Sequence, residues 1–367
     1  MIETALWFFL AMYGFYATIL VVGIVRESRR SDFSQSQPFV SVVIPVRDEE
    51  RNVQQCLESV LSQTYPLTAF EVILVNDNSS DRTWELASAI ATHHPNLKIV
   101  NVEENSARVG KLVALDQGIK YAKGELLLLT DGDIVVQRSW LEQMVRHMSA
   151  GVGIAGGLTL PKGNSVVAKM QTLDWAFLLG IACGAIGLKK PLSIIANNFA
   201  LRRAAHDEVG GFSSVRNSVD DDFLMLKDVV GKTKWGARFV LRPDCVNETL
   251  PCDSIYNALS QKHRWGRGGF GLNVFGYSLI LTSAATHYLL LLQSIADHSF
   301  PIVLWLLKCV ADAAIIATTL SIVRRKKLFI HFLWFQLYYV IYIVVMPFWI
   351  LFVRDVEWKG RVYEKVT

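Results

Sequence analysis

Long stretches with few or no charges at both ends of the chain restrict its fold more than any other feature. Residues 5–25 contain no charged side chain, and three similar stretches lie at 275–292, 300–323 and 328–353. Each is close to the roughly 20 apolar residues that a helix needs to cross a bilayer. A chain with such segments at both ends has to keep its polar middle outside the membrane but tethered to it.

The N-terminal stretch is interpreted as a membrane anchor over residues 1–30. A cleaved signal peptide is the alternative, but signal peptides have a basic segment, a shorter apolar run and a small-residue cleavage site. Here no basic segment precedes the apolar run and no such cleavage site follows it. We therefore expect the segment to be retained.

Clusters of basic residues predict which side of the membrane the polar middle faces. They lie at 26–30, 262–267 and 324–327, and short loops rich in Lys and Arg remain in the cytoplasm. We therefore predict an integral membrane protein with a cytoplasmic domain. The predicted parts are the anchor, the cytoplasmic domain over 38–270, membrane or interfacial helices over 275–353 and a polar tail over 354–367.

The C-terminal tail conflicts with this arrangement if the last apolar stretch crosses the membrane. A crossing by 328–353 would place the tail outside, although the tail has four basic residues, which are typical of a cytoplasmic segment. One C-terminal segment is then interfacial or re-entrant, and the sequence leaves open which one.

Two features inside apolar stretches have alternative interpretations. Lys308 and Asp312 are four residues apart and share a helix face; they either neutralise each other inside a helix bundle or contact substrate or a lipid headgroup. Residues 175–188 are uncharged but short for a span. We expect them at the membrane surface, with a buried core helix as the alternative. Gly180 and Gly184 indicate a close helix contact.

Net charge and cysteine content argue against a nucleic-acid-binding protein and against a metal site built from cysteines. The net charge of +4 is too small to indicate a nucleic-acid-binding protein, so we expect no nucleic acid partner, whereas contact with anionic lipid heads fits. The five cysteines form no Cys-x-x-Cys pair and no metal-ligand spacing. We expect reduced thiols in a mostly cytoplasmic chain.

Strand-like and helix-like runs alternate through residues 38–130. This order is typical of an α/β fold with a doubly wound, mostly parallel sheet. Ligands of such sheets bind beyond the carboxyl ends of the strands. The predicted strands are 39–46, 70–77, 97–102 and 125–130, the helices are 51–63, 81–94 and 111–122, and the acidic residues that follow strand ends are Asp48, Glu49, Asp77, Asp131 and Asp133.

A metal is expected at the end of the fourth strand. Asp131 and Asp133 follow four leucines, 126–129, which indicate a strand that is buried on both faces. Carboxylates in such a place repel each other unless a positive group lies between them. A divalent metal that holds a diphosphate meets this need, because Mg²⁺ and Mn²⁺ prefer carboxylate and phosphate oxygens.

Seven sequence blocks carry a resemblance to a known family. They are "VSVVIPVRDEE", "VNDNSSDRT", "GKLVALDQGI", "TDGD", "NNFALRR", "DDDFL" and "QKHRW", and in this order the chain over about 38–270 resembles glycosyltransferase family 2. The resemblance implies an inverting enzyme of GT-A fold with a nucleotide-sugar donor. The chain is also similar to membrane-bound enzymes of the ceramide glucosyltransferase type and, in "WKGRVY", to bacterial enzymes that glycosylate lipids or carotenoids. A lipid acceptor, beside the 175–188 segment, and a bacterial inner membrane follow from this similarity.

The resemblance implies roles for residues around the donor. Pro45 and Glu49 match the first nucleotide-contacting loop, Asp77 matches the acid that pairs with uracil, and Lys111 matches a basic residue near base and ribose. Asp131 matches an acid near ribose and diphosphate, and Asp133 matches the ligand of the Mg²⁺ or Mn²⁺ ion. The expected donor is therefore a UDP-sugar. Two positions depart from the family, which usually has Asn where Asp48 stands and an acid where Asn76 stands.

Other matched residues concern the acceptor and the chemistry. Asn198 matches a residue near sugar and acceptor, and Asp221 matches the general base. Gln261, Arg264 and Trp265 match the Q-x-x-R-W motif beside the diphosphate and acceptor. The guanidinium would stabilise the leaving diphosphate by a bidentate contact, and the indole would offer a face to the sugar. The alternative for 262–267 is an interfacial helix held at the membrane by its Trp.

Asp220, Asp221 and Asp222 form an acidic triplet with two compatible interpretations. Three adjacent carboxylates raise the pKa of at least one member, as a base near neutral pH requires. They also suit the N-terminus of a helix, where negative charge is favoured. We expect Asp221 to be the base and a neighbour to favour the helix end.

The leading hypothesis is an inverting transfer of a hexose from a nucleotide sugar to a lipid hydroxyl. A processive polysaccharide synthase is the first alternative, because such enzymes carry Q-x-x-R-W; the few predicted spans argue against a translocation pore. A polyisoprenyl-phosphate glycosyltransferase usually lacks that motif. A membrane-tethered nucleotide-sugar binding protein is the non-enzyme alternative, which the complete set of acidic and arginine motifs disfavours.

Overall fold

The computed structural model describes residues 2–103, 110–214, 221–268, 271–296, 301–353, 356–358 and 361–363. The helices are α1 Ile2–Ser28, α2 Val53–Leu61, α3 Thr83–Ala91, α4 Lys111–Tyr121, α5 Trp140–His147, α6 Val166–Gly187, α7 Arg203–Glu208, α8 Gly211–Ser214, α9 Asp221–Lys232, α10 Ile255–Gly268, α11 Val274–Ala296, α12 Ile302–Ile322 and α13 Phe332–Phe352. The strands are β1 Val40–Val46, β2 Phe70–Asn76, β3 Leu97–Asn101, β4 Leu126–Leu129, β5 Val152–Gly157, β6 Thr159–Pro161, β7 Phe199–Arg202, β8 Gly236–Val240, β9 Asn247–Thr249, β10 Val356–Trp358 and β11 Arg361–Tyr363.

The central sheet is mostly parallel, as predicted. Its strand order is β3-β2-β1-β4-β7-β5-β8, and β7 runs antiparallel to both of its neighbours. The four strands and three helices predicted over 38–130 are all present. Because β1 lies between β2 and β4 and is parallel to both, the carboxyl ends of these three strands meet at one edge.

The sheet is buried on both faces, which explains the uninterrupted apolar runs of its strands. Val42 and Leu128 pack on one face with apolar residues of α2 and α5. Val43 and Leu127 pack on the other with α4 and α6. Successive side chains of a strand point to opposite faces, so a strand of four leucines fills both layers of the core.

Five helices in the described residues are long and apolar enough to cross a membrane, judged by length and composition: Ile2–Ser28, Val166–Gly187, Val274–Ala296, Ile302–Ile322 and Lys326–Phe352. The first and the last three cover the predicted apolar stretches. Many large apolar side chains on them are exposed, including Phe8, Leu281 and Leu306. The remaining helix of these five, α6, was not predicted as a span.

Helix α6 is buried between the sheet and the membrane helices. It packs against α1, α12 and α13, and its apolar residues join the main core. The burial of 175–188 therefore agrees with the alternative of a buried core helix, and the expected place of this segment at the membrane surface stays a prediction. The helix is covered because it fills the space where the apolar helices meet the polar domain.

Glycines allow α6 to approach its neighbours closely, as predicted for Gly180 and Gly184. A Cβ atom at Gly184 would lie 2.6 Å from the Leu20 carbonyl oxygen of α1, and one at Gly180 would lie 2.5 Å from Thr319 Oγ1 of α12. On α1, Gly23 faces Gly184 in the same way. Backbone contact of this kind is typical of helices that pack through small residues in membranes.

The ion pair of Lys308 and Asp312 faces the helix bundle, which was one of its two interpretations. The two groups are 2.8 Å apart and both side chains are buried. Gln336 of α13 donates to Asp312 and accepts from Lys308, at 2.9 and 2.6 Å, and the Tyr13 hydroxyl of α1 donates to Asp312. These contacts join α1, α12 and α13 through polar groups.

The segment with α13 begins and ends against the polar domain. Arg325, just before the 3₁₀ helix Lys326–His331, lies 3.4 Å from Glu248. At the other end, the carbonyl oxygen of Val353 lies 3.0 Å from His263 Nε2 of α10. Both ends of this segment therefore contact residues assigned to the polar domain. Which C-terminal segment is interfacial or re-entrant stays a prediction, and these contacts favour α13.

The first basic cluster also lies on the polar domain. Glu27, near the end of α1, is buried and its carboxylate lies 2.8 Å from Arg238 Nε of β8. The same oxygen accepts a hydrogen bond from the Phe239 backbone N–H. The end of α1 therefore contacts the polar domain, and the cytoplasmic side of the cluster at 26–30 stays a prediction.

Candidate active site

The carboxyl ends of β1, β2 and β4 bring the predicted donor residues together. Val46 pairs with Asn76, and Val43 pairs with Leu129. Glu49, Asp77, Asp131 and Asp133 follow these strand ends, and Pro45 is half-buried within β1 beside Val75. Parallel strands explain this convergence, because residues far apart in sequence leave the sheet at one edge.

Hydrogen bonds tie the loop after β1 to the loop after β2. Arg47 Nη1 donates to the Asp77 carbonyl at 2.7 Å, and the Glu49 N–H donates to Thr83 Oγ1 at 2.7 Å. The Asp77 N–H in turn donates to the Val46 carbonyl at 2.8 Å. Glu49 and Asp77 are both largely buried. The backbone that presents these two acids is therefore firmly held.

The two positions that depart from the family stabilise these loops. Asp48 has a positive φ of 51°, a conformation that Asp tolerates better than most residues, and its carboxylate accepts from the Ser80 N–H at 2.7 Å. The side-chain oxygen of Asn76 accepts a hydrogen bond from the Ser79 N–H at 3.2 Å, while its side-chain nitrogen donates one to Asn101 at 2.8 Å. An amide at residue 76 supplies both a donor and an acceptor, which a carboxylate cannot do.

A lysine neutralises Asp131. Lys111, the first residue of α4, places its Nζ 2.5 Å from Asp131 Oδ1. Below them, burial raises the pKa of the Cys56 thiol, and the charges of Asp133, Glu49 and Asp131 raise it further. Cys56 is therefore an inert thiol surrounded by three of the predicted carboxylates. The positive group that the acid pair requires is supplied in part by Lys111.

The acid pair has the oxygen donors that a hard divalent metal requires. Asp131 and Asp133 are partly exposed, and Asp133 Oδ2 accepts a hydrogen bond from the Thr249 hydroxyl of β9 at 3.3 Å. Among the described residues no three His, Cys, Asp or Glu side chains form a metal-binding group. The pair fits a metal that takes its remaining ligands from a diphosphate and water.

The side chain of Asn198 lies inside the core and is 0% exposed. Its side-chain oxygen accepts from Trp140 Nε1 at 2.9 Å, and its amide nitrogen donates to the Leu158 carbonyl at 3.0 Å. These hydrogen bonds join α5, β7 and the residue before β6. The expected place of Asn198 near the sugar and acceptor stays a prediction.

Two members of the acidic triplet, Asp221 and Asp222, begin α9. Asp220 is outside the described residues, and Asp221 begins the helix with its side chain also outside them. Asp222 accepts hydrogen bonds from the Ala196 N–H at 2.8 Å and from the Phe223 N–H at 2.7 Å. Asp222 thus has the helix-end role expected of one member and also holds the loop that precedes β7.

The Q-x-x-R-W motif lies on α10. Gln261 and Arg264 are half-buried, whereas Lys262 and His263 are buried. Trp265 packs edge-on against Trp175 of α6, with ring centres 5.1 Å apart. The Lys262 ammonium lies 4.1 Å above the Trp265 ring, and a face of this ring open to sugar or acceptor stays a prediction.

Sequence reasoning missed two contributors to this region. Asp174 of α6 pairs with Lys262 at 2.5 Å, and Thr249 binds Asp133. Asp174 is the only charged residue in 170–188, and a single charge in a long apolar stretch is the signal that could have identified it. Thr249 has no comparable signal.

The chain is similar in amino-acid sequence to several proteins. Over 139 residues, 37% of this chain, it is 39% identical to Glycosyltransferase AglE of Haloferax volcanii, of which 45% is covered. A poly-β-1,6-N-acetyl-D-glucosamine synthase of Staphylococcus epidermidis is 27% identical over 70% of this chain and 61% of its own length. A β-monoglucosyldiacylglycerol synthase of Trichormus variabilis is 25% identical over 73% of this chain and 56% of its own length. The chain thus spans roughly half the length of these curated relatives.

A solved structure shares the fold. The mannosyltransferase PcManGT of Pyrobaculum calidifontis, determined in complex with GDP-Man and Mn²⁺, matches 96% of this chain and 99% of its own, with a TM-score of 0.60 and 18% identity. The predicted fold, with a mostly parallel sheet and apolar helices at both ends, is confirmed.

A family model decides the assignment. The model described as Glycosyl transferase family 21 matches residues 5–366, which includes the apolar helices as well as the polar domain. The predicted similarity to ceramide glucosyltransferase-like enzymes is confirmed, although the family number is 21 where the sequence blocks had indicated 2. With five apolar helices of spanning length, the molecule is a membrane protein, and it belongs to glycosyl transferase family 21.

Proposed function

We propose that this protein transfers a hexose from a UDP-sugar to the hydroxyl group of a lipid, with inversion at the anomeric carbon. One observation carries the proposal: β1, β2 and β4 gather Glu49, Asp77, Asp131 and Asp133 at one sheet edge, next to β9 and the chain that leads into α10. A site of this kind suits a donor that has a base, a ribose and a diphosphate.

The donor lies across the strand ends in this proposal. Pro45 and Glu49 contact the nucleotide, Asp77 accepts from the uracil N–H, and Lys111 contacts base or ribose. The link between Lys111 and Asp131 supports a shared location. The family resemblance and the nucleotide-sugar complex of the related fold support the donor class.

Asp133 and Asp131 would hold Mg²⁺ or Mn²⁺. When bound, such an ion offsets the negative charge of the diphosphate. The protein contributes two carboxylates at a fixed strand end, with Thr249 orienting Asp133 by a hydrogen bond. The Lys111 ammonium adds a positive charge beside Asp131, which reduces repulsion between the acids and the phosphates.

Asp221 is the proposed general base. Its carboxylate takes the proton of the acceptor hydroxyl, the acceptor oxygen forms a bond to the anomeric carbon from the face opposite the diphosphate, and the bond to the diphosphate breaks. Asp222 has its oxygens bonded to two backbone N–H groups. This arrangement supports a division of labour in the triplet, with Asp220 or Asp221 left to meet the acceptor.

Residues of α10 act on the leaving group and acceptor. Arg264 stabilises the charge that develops on the diphosphate, as a guanidinium does with phosphate oxygens. Gln261 and Trp265 lie on the same helix and position the acceptor. The half-buried state of Gln261 and Arg264 supports a role at the edge of a cleft.

The acceptor reaches the site from the membrane. The apolar helices α6 and α13 contact the polar domain and α10, so a lipid hydroxyl can approach α10 without leaving the bilayer interface. The basic clusters on the domain side support a cytoplasmic active site, which in a bacterium lies at the inner membrane.

A polysaccharide synthase is the second candidate, and one observation favours it. The poly-β-1,6-N-acetyl-D-glucosamine synthase of Staphylococcus epidermidis aligns over 70% of this chain. Product size separates the two candidates, because a synthase releases a polymer and a lipid glycosyltransferase adds one or a few hexoses.

Comparison of lipids from cells with and without the gene tests the proposal. We expect a lipid species that is heavier by one hexose only in cells with the gene, detected by mass spectrometry of the lipid extract. Identical lipid profiles under conditions where the protein is present in the membrane would contradict a lipid acceptor.

A further inference from the structure

We infer that Asp174 of α6 is a positioning residue that sets the orientation of α10 through its ion pair with Lys262. The inference rests on the proposed function and deepens it, because α10 carries Gln261, Arg264 and Trp265. It assigns a role to the two inner residues of the Q-x-x-R-W motif, which are Lys262 and His263 in this chain.

The ion pair is isolated inside the protein. Lys262 Nζ lies 2.5 Å from Asp174 Oδ2, with side-chain exposures of 2% and 0%. Apart from this ion pair, neither charged group has a hydrogen-bond partner in the part of the chain that the structure describes. Each charge therefore depends on the other, because a buried charge without a counter-ion is strongly unfavourable.

Aromatic rings enclose the pair. The Lys262 ammonium lies 4.1 Å from the ring centre of Trp265 and 5.9 Å from that of Trp175. The two rings contact each other edge-on. This arrangement keeps water from replacing the carboxylate and adds cation–π attraction. It also links the position of Lys262 directly to that of Trp265.

One face of α6 contacts both the residues that lead into α10 and the middle of α10. Gln171 donates to the Cys252 carbonyl at 2.9 Å and accepts from the Cys252 N–H at 2.8 Å. Gln171, Asp174 and Trp175 are three and four residues apart, so they lie on the same helix face. A contact three residues before α10 and another at its middle restrict the rotation of the helix as well as its location.

The rotation of α10 about its own axis decides in which direction each side chain of the Q-x-x-R-W motif points. Residues of an α-helix are about 100° apart, so Trp265 lies about 60° from Lys262 and Arg264 lies about 160° away. Fixing Lys262 against α6 therefore directs Arg264 to the opposite side. His263 adds a second attachment, through the Val353 carbonyl at 3.0 Å and a stacked contact with Trp349 of α13.

Asp174→Asn in the full-length protein tests this role. It leaves the Lys262 charge without its partner, so α10 should turn and Arg264 should leave its place. Because small displacements of catalytic groups cost up to about 10²-fold in rate, we expect transfer per folded molecule to fall roughly 10- to 100-fold. Nucleotide-sugar affinity should stay within about twofold, since the donor acids lie on other loops. Asp174→Glu keeps the charge and should recover most of the rate.

Asp312→Asn is the matched control, because it makes the same change in a buried Lys–Asp pair within the membrane helices. We expect it to lower Tm without changing kcat or KM of the folded fraction. A folded Asp174→Asn variant with transfer within twofold of wild type would overturn the inference, as would an Asp174→Glu variant that is equally impaired.

A double variant covers the case in which Asp174→Asn does not fold. Asp174→Leu with Lys262→Met buries no charge, and such replacements are often tolerated. We expect it to fold and bind donor, with transfer still reduced because the directional contact is gone; transfer within twofold of wild type would overturn the inference. Wild-type protein is assayed alongside, so an inactive wild type indicates failure of the proposed function instead.

Discussion

At the scale of single residues, the site combines acids that the chain holds by backbone contacts with one lysine that offsets their charge. Glu49 and Asp77 leave the sheet on loops that hydrogen bonds join, and Lys111 pairs with Asp131. The loops are therefore organised before any donor binds, and binding energy need not be spent on ordering them.

Metal removal is expected to abolish transfer. EDTA should stop the reaction, and Mg²⁺ or Mn²⁺ should restore it, because the diphosphate cannot be bound beside carboxylates without a cation. Asp133→Asn should act mainly by weakening metal affinity, so a high metal concentration should partly rescue it. Initial rates against metal concentration measure this effect.

Asp116→Asn is the control for that experiment, since Asp116 pairs with Lys120 on the surface of α4. It should leave the metal dependence unchanged. Full activity of the wild type in EDTA would exclude the metal role of Asp131 and Asp133.

Asp221→Asn tests the general base. Asn keeps the shape of the side chain but cannot take a proton at neutral pH, and loss of a general base costs about 10²–10⁴-fold in rate. We expect kcat to fall by that factor while the nucleotide-sugar affinity stays nearly constant. Single-turnover rates and a binding titration separate the two effects.

Asp220→Asn and Asp222→Asn are the comparisons. We expect both to be less impaired than Asp221→Asn, and Asp222→Asn to lower stability as well, because its carboxylate holds the Ala196 N–H. An active Asp221→Asn variant beside an inactive neighbour would move the base to that neighbour, and three active variants would place the base outside the triplet.

At the scale of elements, the helices that were predicted from apolar length differ in what they do. Helix α1 packs on α6, α11 and α12, whereas α13 begins and ends at the polar domain. Length and composition are alike in both cases, so they do not distinguish a crossing helix from an interfacial one.

Reporter fusions test this topology. We expect a reporter after Lys327 and another after Thr367 both to have cytoplasmic activity, because both ends of the segment that contains α13 contact the polar domain. A reporter after Arg30 should agree with them. A periplasmic or lumenal reporter at Thr367 with a cytoplasmic one at Lys327 would show that α13 crosses.

Gly184→Val tests the contact between α1 and α6. A Cβ atom at this position would lie 2.6 Å from the Leu20 carbonyl oxygen, so the helices must separate. Overpacking of this kind costs about 1–3 kcal/mol, and we expect a lower Tm in detergent. Gly14→Ala is the control, since a Cβ there meets no described atom within 4 Å; equal Tm values for both variants would contradict the contact.

Four of the seven strands of the central sheet, β1 to β4, could be predicted from sequence because their signals are local, whereas β5, β7 and β8 were not predicted. The runs over 38–130 show strand and helix periods directly, and acids after strand ends identify the edge that binds ligand. The burial of α6 and the place of Asn198 could not be predicted, because both depend on which elements pack against them. Asn198 is a polar residue of the kind that often contacts ligands, yet its side-chain amide forms hydrogen bonds with Trp140 and Leu158 inside the core.

At the scale of the whole molecule, the polar domain and the apolar helices form one continuous unit. Helix α6 lies between the sheet and the membrane helices, and α10 is attached to both α6 and α13. The Q-x-x-R-W motif thus lies beside the membrane helices, where the proposed function requires a water-soluble donor to meet a membrane-bound acceptor. This placement is the structural reason for proposing a lipid acceptor.

Transfer by the purified full-length protein in lipid vesicles tests the central claim most directly. Radiolabelled UDP-hexoses, with GDP-mannose as the comparison donor, would be incubated with vesicles that contain a lipid extract, and both products would be measured. We predict equal amounts of nucleoside diphosphate and lipid-extractable hexose, with the anomeric configuration of the donor inverted in the product. Nucleotide release without a lipid-linked hexose, a water-soluble polymer, or a retained anomeric configuration would contradict it.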